Sequence, residues 1–229
     1  MKLFSMDAEA ALLCDTPVCR AEVRTLNEGE RLGGAATPPV ETVLCVVEGA
    51  MTVEVAETQF PLAAMQGVQI PAGQAWVANT GATGAKVLQV ASFHPHFTAA
   101  EALLPSLANV HSFAVATDEW LVYTDYMRGG VLTFAPHFAA DKHFHQDADE
   151  IFWFFQGTCR VTTPDGPTLC PAGTIVYTPA GEWHIIENAG DEPLLMFLTV
   201  TPNLVPSHTF FDANGEPFVR SWAPLRGPA

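Results

Sequence analysis

The sequence predicts an all-β chain built as two similar halves, and three observations carry that expectation. From Ala21 onward, short runs rich in Val, Leu, Phe and Thr are broken by Gly and Pro at intervals of about ten residues, the texture of strands and tight turns in a sandwich or barrel. When the second half is laid on the first at an offset of 108 residues, Gly157 falls on Gly49 and Pro179-Ala180-Gly181 falls on Pro71-Ala72-Gly73. Only one segment carries a persuasive helix signature. Thr98 and Glu101 form a capping box ahead of Ala102-Leu103-Leu104, and Pro105 interrupts the pattern at once.

Taken in order, residues 1–20 read as a lead-in of mixed polarity. The first half spans 21–93, with strand-like runs at Thr42–Val47, Met51–Val55, Val68–Ile70 and Ala85–Ala91. Residues 94–118 form a linker that contains the short helix. The second half spans 119–202, with Trp120–Tyr126, Val131–Pro136 and the aromatic run Ile151–Phe155 as its clearest strands. Residues 203–229 remain as a tail.

Composition narrows the classes of function. With 48% hydrophobic residues over 229 positions the chain has enough apolar surface for a substantial core. Its apolar runs are far shorter than the ~18 residues a membrane span needs. Asp7 and Glu9 interrupt what would have to be the apolar part of a signal peptide, so a cytoplasmic protein is the default expectation. The 25 acids against 10 bases leave a net charge of -15, which repels phosphate backbones and anionic lipid surfaces, so neither nucleic acid nor membrane is an expected partner. Five cysteines, Cys14, Cys19, Cys45, Cys159 and Cys170, are an odd number without zinc-type pairing and read as reduced thiols.

The chemistry lies between His143 and Asn188. His143 and His145 are two apart, so on a strand they face one side together. Glu150 follows, then Gly157, and a second block runs from Gly173 through Pro179, Gly181 and His184 to Asn188. If the strands that carry them curl around a common interior, three imidazoles and one carboxylate converge on a site for a divalent transition metal. Such a ligand set offsets a single charge of the ion and leaves coordination positions open for water, dioxygen or a chelating substrate. Iron, manganese, nickel, copper and zinc all suit it, whereas calcium and magnesium prefer all-oxygen shells.

These two blocks resemble the signature of the cupins. HFHQDADEIFWFFQG fits G(X)5HXH(X)4E(X)6G and GTIVYTPAGEWHIIEN fits G(X)5PXG(X)2H(X)3N, with one departure, His137 in the leading glycine slot. The resemblance implies two tandem double-stranded β-helix, or jelly-roll, barrels joined by a short helical linker, with one metal bound by His143, His145, Glu150 and His184. In the first half the same slots hold Ala35, Thr37, Thr42 and Trp76, which cannot form a ligand set. That pattern resembles a bicupin with a single working site, the first barrel keeping its turns and lacking the metal. The resemblance also implies a homodimer. Bicupin oxalate decarboxylases carry metal motifs in both halves, and ureidoglycine aminohydrolases order their ligands Glu, His, His; this chain departs from both patterns.

A second cluster, His94-Pro95-His96 with Glu101, imitates half of the motif. Pro95 is a poor residue for a central strand, and Glu101 already serves the capping box, so the cluster reads as linker. Around the expected metal, alternation from Glu150 brings Phe152 and Phe154 to the same face. Tyr177 and Arg160 are candidate catalytic groups, and His137 is a candidate for the pocket rim; each of the aromatic residues is equally well read as barrel core. His111 and His208 read as surface or loop residues. An aromatic pocket suits a small apolar or aromatic molecule that chelates through oxygen. Among three classes, an oxygenase, a redox-neutral metal enzyme and a non-catalytic binding or storage protein, the expectation is a dioxygenase. Its metal would have open positions, its lining would exclude water, and few proton-transfer groups are in view.

Overall fold

The computed structural model describes residues 1–6, 10–35, 40–93, 110–116 and 119–219, and within these the regular structure is all β-strand. The capping-box segment at Thr98 and the His94/His96 cluster lie outside the described residues. The chain divides into two compact units, Ala8–Ala116 and a second made of Met1–Asp7 with Thr117–Ala229.

In chain order, β1 (Lys2–Ser5) belongs to the second unit. The first unit contains β2 (Ala10–Asp15), β3 (Cys19–Leu26), β4 (Arg31–Gly34), β5 (Glu41–Val55), β6 (Thr58–Ala63), β7 (Gln66–Ile70), β8 (Trp76–Ser92) and β9 (His111–Ala114). They form one antiparallel sheet ordered β2-β3-β8-β5-β7-β9, with β4 on β8 and β6 on β5. Its core is the alternating set Leu44, Val46, Met51, Val53, Val55, Leu62, Val68, Ile70, Trp76, Ala78 and Val87.

The second unit continues with β10 (Glu119–Tyr123), β11 (Arg128–Phe134), β12 (His143–Phe144), β13 (Asp149–Gln156), β14 (Thr158–Thr163), β15 (Gly166–Pro171), β16 (Thr174–Thr178), β17 (Ile185–Asn188), β18 (Leu194–Thr201), β19 (Thr209–Phe211) and β20 (Pro217–Phe218). A six-stranded sheet, β1-β16-β13-β18-β11-β10, contributes Phe152, Phe154, Val176, Met196, Leu198 and Val200 to a core that Cys159, Val161, Cys170 and Ile186 complete from the β15-β14-β17 sheet. A third small sheet, β12-β19-β20, carries His143. The continuous apolar run Ile151–Phe155 is explained by position, since β13 lies between β16 and β18 and is covered on both faces.

The repeat read from the turns extends to strand register. Glu150 pairs with Thr178 and Phe152 with Val176 in the second unit; Thr42 pairs with Ile70 and Leu44 with Val68 in the first, the same positions at the same offset of 108. The landmark glycines also match, with φ of +77° at Gly49 and +84° at Gly157, and +84° at Gly73 and +79° at Gly181. His137, in the motif's glycine slot, adopts φ +63°, so the left-handed turn persists with a residue that tolerates it better than a β-branched one.

Three sequence readings need correction. Thr42–Val47 and Met51–Val55 are one strand, and Gly49 marks irregularities in its pairing with β8 and not a chain reversal. Residues 1–20 are not a lead-in: Lys2–Ser5 pairs with β16, and Ala10–Asp15 forms a hairpin with β3. Part of the 203–229 segment is also built in, because Thr209–Phe211 pairs with His143–Phe144. All five cysteines are buried and none is joined in a disulfide, with Cys14 and Cys19 sulfurs 3.5 Å apart.

Gly49 and Gly29 separate backbone strain from crowding. Both have positive φ, but a Cβ at Gly49 would stand 2.2 Å from the Gly84 carbonyl oxygen, whereas one at Gly29 meets nothing within 4 Å. Gly29→Ala is expected to cost about 1–2 kcal/mol. Gly49→Ala is expected to cost clearly more, because the obstructing atoms are backbone. Equilibrium denaturation of the two variants checks this, and equal losses would show that the crowding is relieved.

Candidate metal centre

The two sequence blocks meet through the backbone. His143 N–H donates to the His184 carbonyl at 3.2 Å and His184 N–H donates to the His143 carbonyl at 2.8 Å, while Gly181 N–H donates to the His145 carbonyl at 2.7 Å. This reciprocal pair places the two imidazoles 4.5 Å apart between ring centroids. Glu150 arrives from the middle of the six-stranded sheet, held in register by Thr178 and Val200 on either side. The ligand atoms of His143, His145, Glu150 and His184 all lie within 4.8 Å of one another, and all four residues are buried.

Each imidazole is oriented by its other nitrogen. Nδ1 of His143 donates to the Asp141 carbonyl at 2.7 Å, Nδ1 of His184 to the Glu182 carbonyl at 3.2 Å, and Nδ1 of His145 to the Ser207 carbonyl. With the proton committed there, the Nε2 lone pairs face the interior. His145 Nε2 and His184 Nε2 stand 3.1 and 3.0 Å from Glu150 Oε2, yet none of these three atoms has a hydrogen-bond partner among the described residues. Buried acceptors crowded together without donors are costly unless a cation joins them. The donor set therefore fits one divalent transition metal, and the site is able to bind one per chain.

Electrostatics agree with that arrangement. Burial, reinforced by the neighbouring His184 ring, pushes the His143 imidazole down to about 4, so it stays a neutral ligand well below neutrality. Burial alone would raise the Glu150 carboxyl, but His145 and His184 outweigh it and hold the group well below the usual carboxylate range.

The other expected residues fall into two groups. Phe152 shares the Glu150 face, with its ring 5.8 Å from that of His184, and Phe154 lies behind it, stacked at 5.9 Å. Tyr177, Arg160 and His137 are not brought to the ligands. Tyr177 alternates with Val176 and Thr178, so it lies on the opposite face of its sheet, and its hydroxyl donates to Asp149 Oδ1 at 3.1 Å. Arg160 lies between core residues Cys159 and Val161, points away from the core and pairs with Glu187 at 2.7 Å. His137 is 69% exposed and pairs with Asp191 at 3.2 Å.

Two residues at the site escape sequence reasoning. His208 packs its ring 4.9 Å from His143 and 4.6 Å from His145, stacks on Phe210, and has Nδ1 2.7 Å from the Ser207 hydroxyl oxygen. Burial, with the neighbouring charges of His145 and Arg128, pushes it down to about 2. The apolar Thr209–Phe211 run beside it was the available signal. Arg128, buried at 6% exposure, lies in the same cross-strand row as Glu150.

In the first unit, Trp76 is buried in the core, and a Cβ at Gly34 would stand 2.2 Å from its indole nitrogen. The indole thus occupies space that glycine leaves open. Thr42 is buried and Ala35 exposed, and Thr37 lies outside the described residues.

Replacing His145 or His184 with Ala is expected to lower metal affinity by more than the ~10–100-fold that loss of an outer hydrogen-bond partner costs, while His208→Ala retains the metal. Elemental analysis of the folded variants checks this. In metal-stripped protein, the unfolded chain binds a proton at His143 near pH 6.5 and the folded one only near 4, so stability falls as pH drops through that window, by up to about 3 kcal/mol. Denaturant titrations at pH 7, 5.5 and 4 measure it, and a flat profile would contradict the burial of a neutral imidazole.

The cupin domain profile matches residues 130–201, the stretch that holds all four ligands. No curated protein matches the chain in sequence. Similar solved structures include a cupin 2 conserved barrel domain protein from Leptotrichia buccalis (14% identity, TM-score 0.63, covering 87% of this chain and 89% of that one). Protein Ylba from E. coli is similar at 14% identity and TM-score 0.66, covering 88% and 90%. The oxalate decarboxylase of Bacillus subtilis, a protein with Mn(II) centres, is similar at 15% identity and TM-score 0.56, covering 87% and 76%. Residues 130–201 thus match the cupin domain family, and the fold of the chain is similar to those of these solved structures.

Proposed function

We propose that this protein is a metal-dependent cupin enzyme acting on a small molecule that chelates through oxygen, and that its reaction is a dioxygenation. The observation that carries the reading is the set of four converging ligand atoms, three of which are buried acceptors with no hydrogen-bond partner, beside the ring of Phe152. A bound transition ion would supply Lewis acidity and, if redox-active, a meeting place for substrate and dioxygen. The chain's own residues orient the imidazoles through the three backbone carbonyls, keep Glu150 ionised, and present Phe152 as an apolar wall.

The first unit completes the proposal as a second, metal-free cupin-type barrel. Its matching strand register and glycine conformations support that reading, with Trp76 in the core where a ligand would otherwise stand.

A redox-neutral lyase, isomerase or hydrolase is the second reading, and His208 favours it. A non-ligating imidazole against His143 and His145 is placed to move a proton, the group that sequence reasoning found lacking. Iron- and manganese-loaded protein is to be screened against small diketones, catechols, hydroxylated aromatic acids and oxalate while dissolved oxygen is followed. Oxygen uptake stoichiometric with turnover is expected. Turnover without uptake would establish the redox-neutral reading, and tight binding without turnover a binding protein.

A further inference from the structure

Arg128 is a buried cation with no carboxylate counter-ion among the described residues. Its residue exposure is 6%, its Nε has no hydrogen-bond partner, and no carboxylate of the described residues lies within ion-pair distance of its guanidinium. The ring of Trp120, 5.4 Å from Cζ, lies against it, a contact that leaves Nε unsatisfied. Burying an arginine in this way is unfavourable unless a partner meets its charge.

Its position says where that partner would sit. Arg128 pairs with Val200, and Val200 pairs with Glu150, so the three residues form one row across adjacent strands with side chains on one face. Val200 belongs to the core together with Phe152, which fixes that face as the interior one. Two strand spacings separate the Arg128 and Glu150 backbones by about 10 Å, a gap that a long arginine side chain and a small molecule fill together. The charges also sense one another, since Glu150 favours the charged form of Arg128 and Arg128 opposes a proton on His208.

We propose that Arg128 is the anion anchor of this pocket, and that the substrate accordingly carries a carboxylate held by the guanidinium while an oxygen of the same molecule reaches the metal. The inference rests on the metal-enzyme reading and narrows its substrate class. Arginine presents paired donors that match the two oxygens of a carboxylate. A single arginine suits a monoanionic group better than a phosphate, which calls for several cations. A divalent ion, Glu150 and Arg128 together leave the interior net positive, so an anion is drawn in locally although the chain carries a net charge of -15.

The test titrates metal-loaded protein with oxalate, pyruvate and salicylate and with their amides, oxamide, pyruvamide and salicylamide, by calorimetry. The amides keep much of the shape and oxygen content without the negative carboxylate. At least one acid is expected to bind roughly 10–100-fold more tightly than its amide. Arg128→Gln is expected to abolish that preference while metal content by elemental analysis stays at one per chain, and Arg128→Lys to retain part of it. Equal binding of acids and amides, no binding of any acid, or a preference undiminished in Arg128→Gln would overturn the proposal. If Arg128→Gln fails to fold, Arg128→Met takes its place, and a preference undiminished there overturns the proposal. Should the unaltered protein hold no metal, the metal reading falls, and the same titration reads the carboxylate preference independently.

Discussion

The commitment of three Nδ1 protons to three backbone carbonyls is the constraint on which the rest of the site depends. Asp141, Ser207 and Glu182 accept those protons, and each is supplied by a different stretch of chain. Once they do, the Nε2 lone pairs and Glu150 Oε2 are forced into one small buried volume without donors of their own. The fold therefore stores an arrangement that is unfavourable empty and favourable around a cation. The strand pairings serve this end: the reciprocal His143–His184 bonds hold two ligands, and β13, locked between β16 and β18, holds the third donor type at a fixed height.

Part of the same strand register, without that constraint, recurs in the first unit. Its central strand keeps the register of β13, and its bulge and turn glycines keep their left-handed conformations, yet the interior positions hold Thr42 and Trp76. Apolar packing around an indole replaces polar convergence, and Gly34 supplies the room. Backbone architecture and metal chemistry are thus separable here: register and glycine placement build the sheet, and four side chains decide whether it holds an ion.

Charge is organised on two scales. The chain is strongly acidic, which sets its long-range behaviour toward other polyanions. Inside the second unit, Arg128 and a metal would outweigh Glu150, and low polarity amplifies that local balance over the screened surface field. His208, close to both His143 and His145, adds a further imidazole outside the four converging ligands.

The sequence by itself determined the four ligands, the all-β class and the repeat, because each rests on spacing along the chain: period-two alternation, glycine at left-handed turns, histidines two apart. Alternation along one strand, a local property, also puts Phe152 and Phe154 on the Glu150 face. Tertiary structure alone decided the faces of Tyr177 and Arg160, which belong to strands whose inward side is set by their neighbours. It alone folded residues 2–5 onto β16 and brought Ser207 and His208 from an apparent tail to the imidazoles. It alone aligned Arg128 with Glu150 across two strand pairings separated by many residues in sequence. Contacts between distant segments depend on register and sheet order, and neither has a signature in the spacing of the residues concerned.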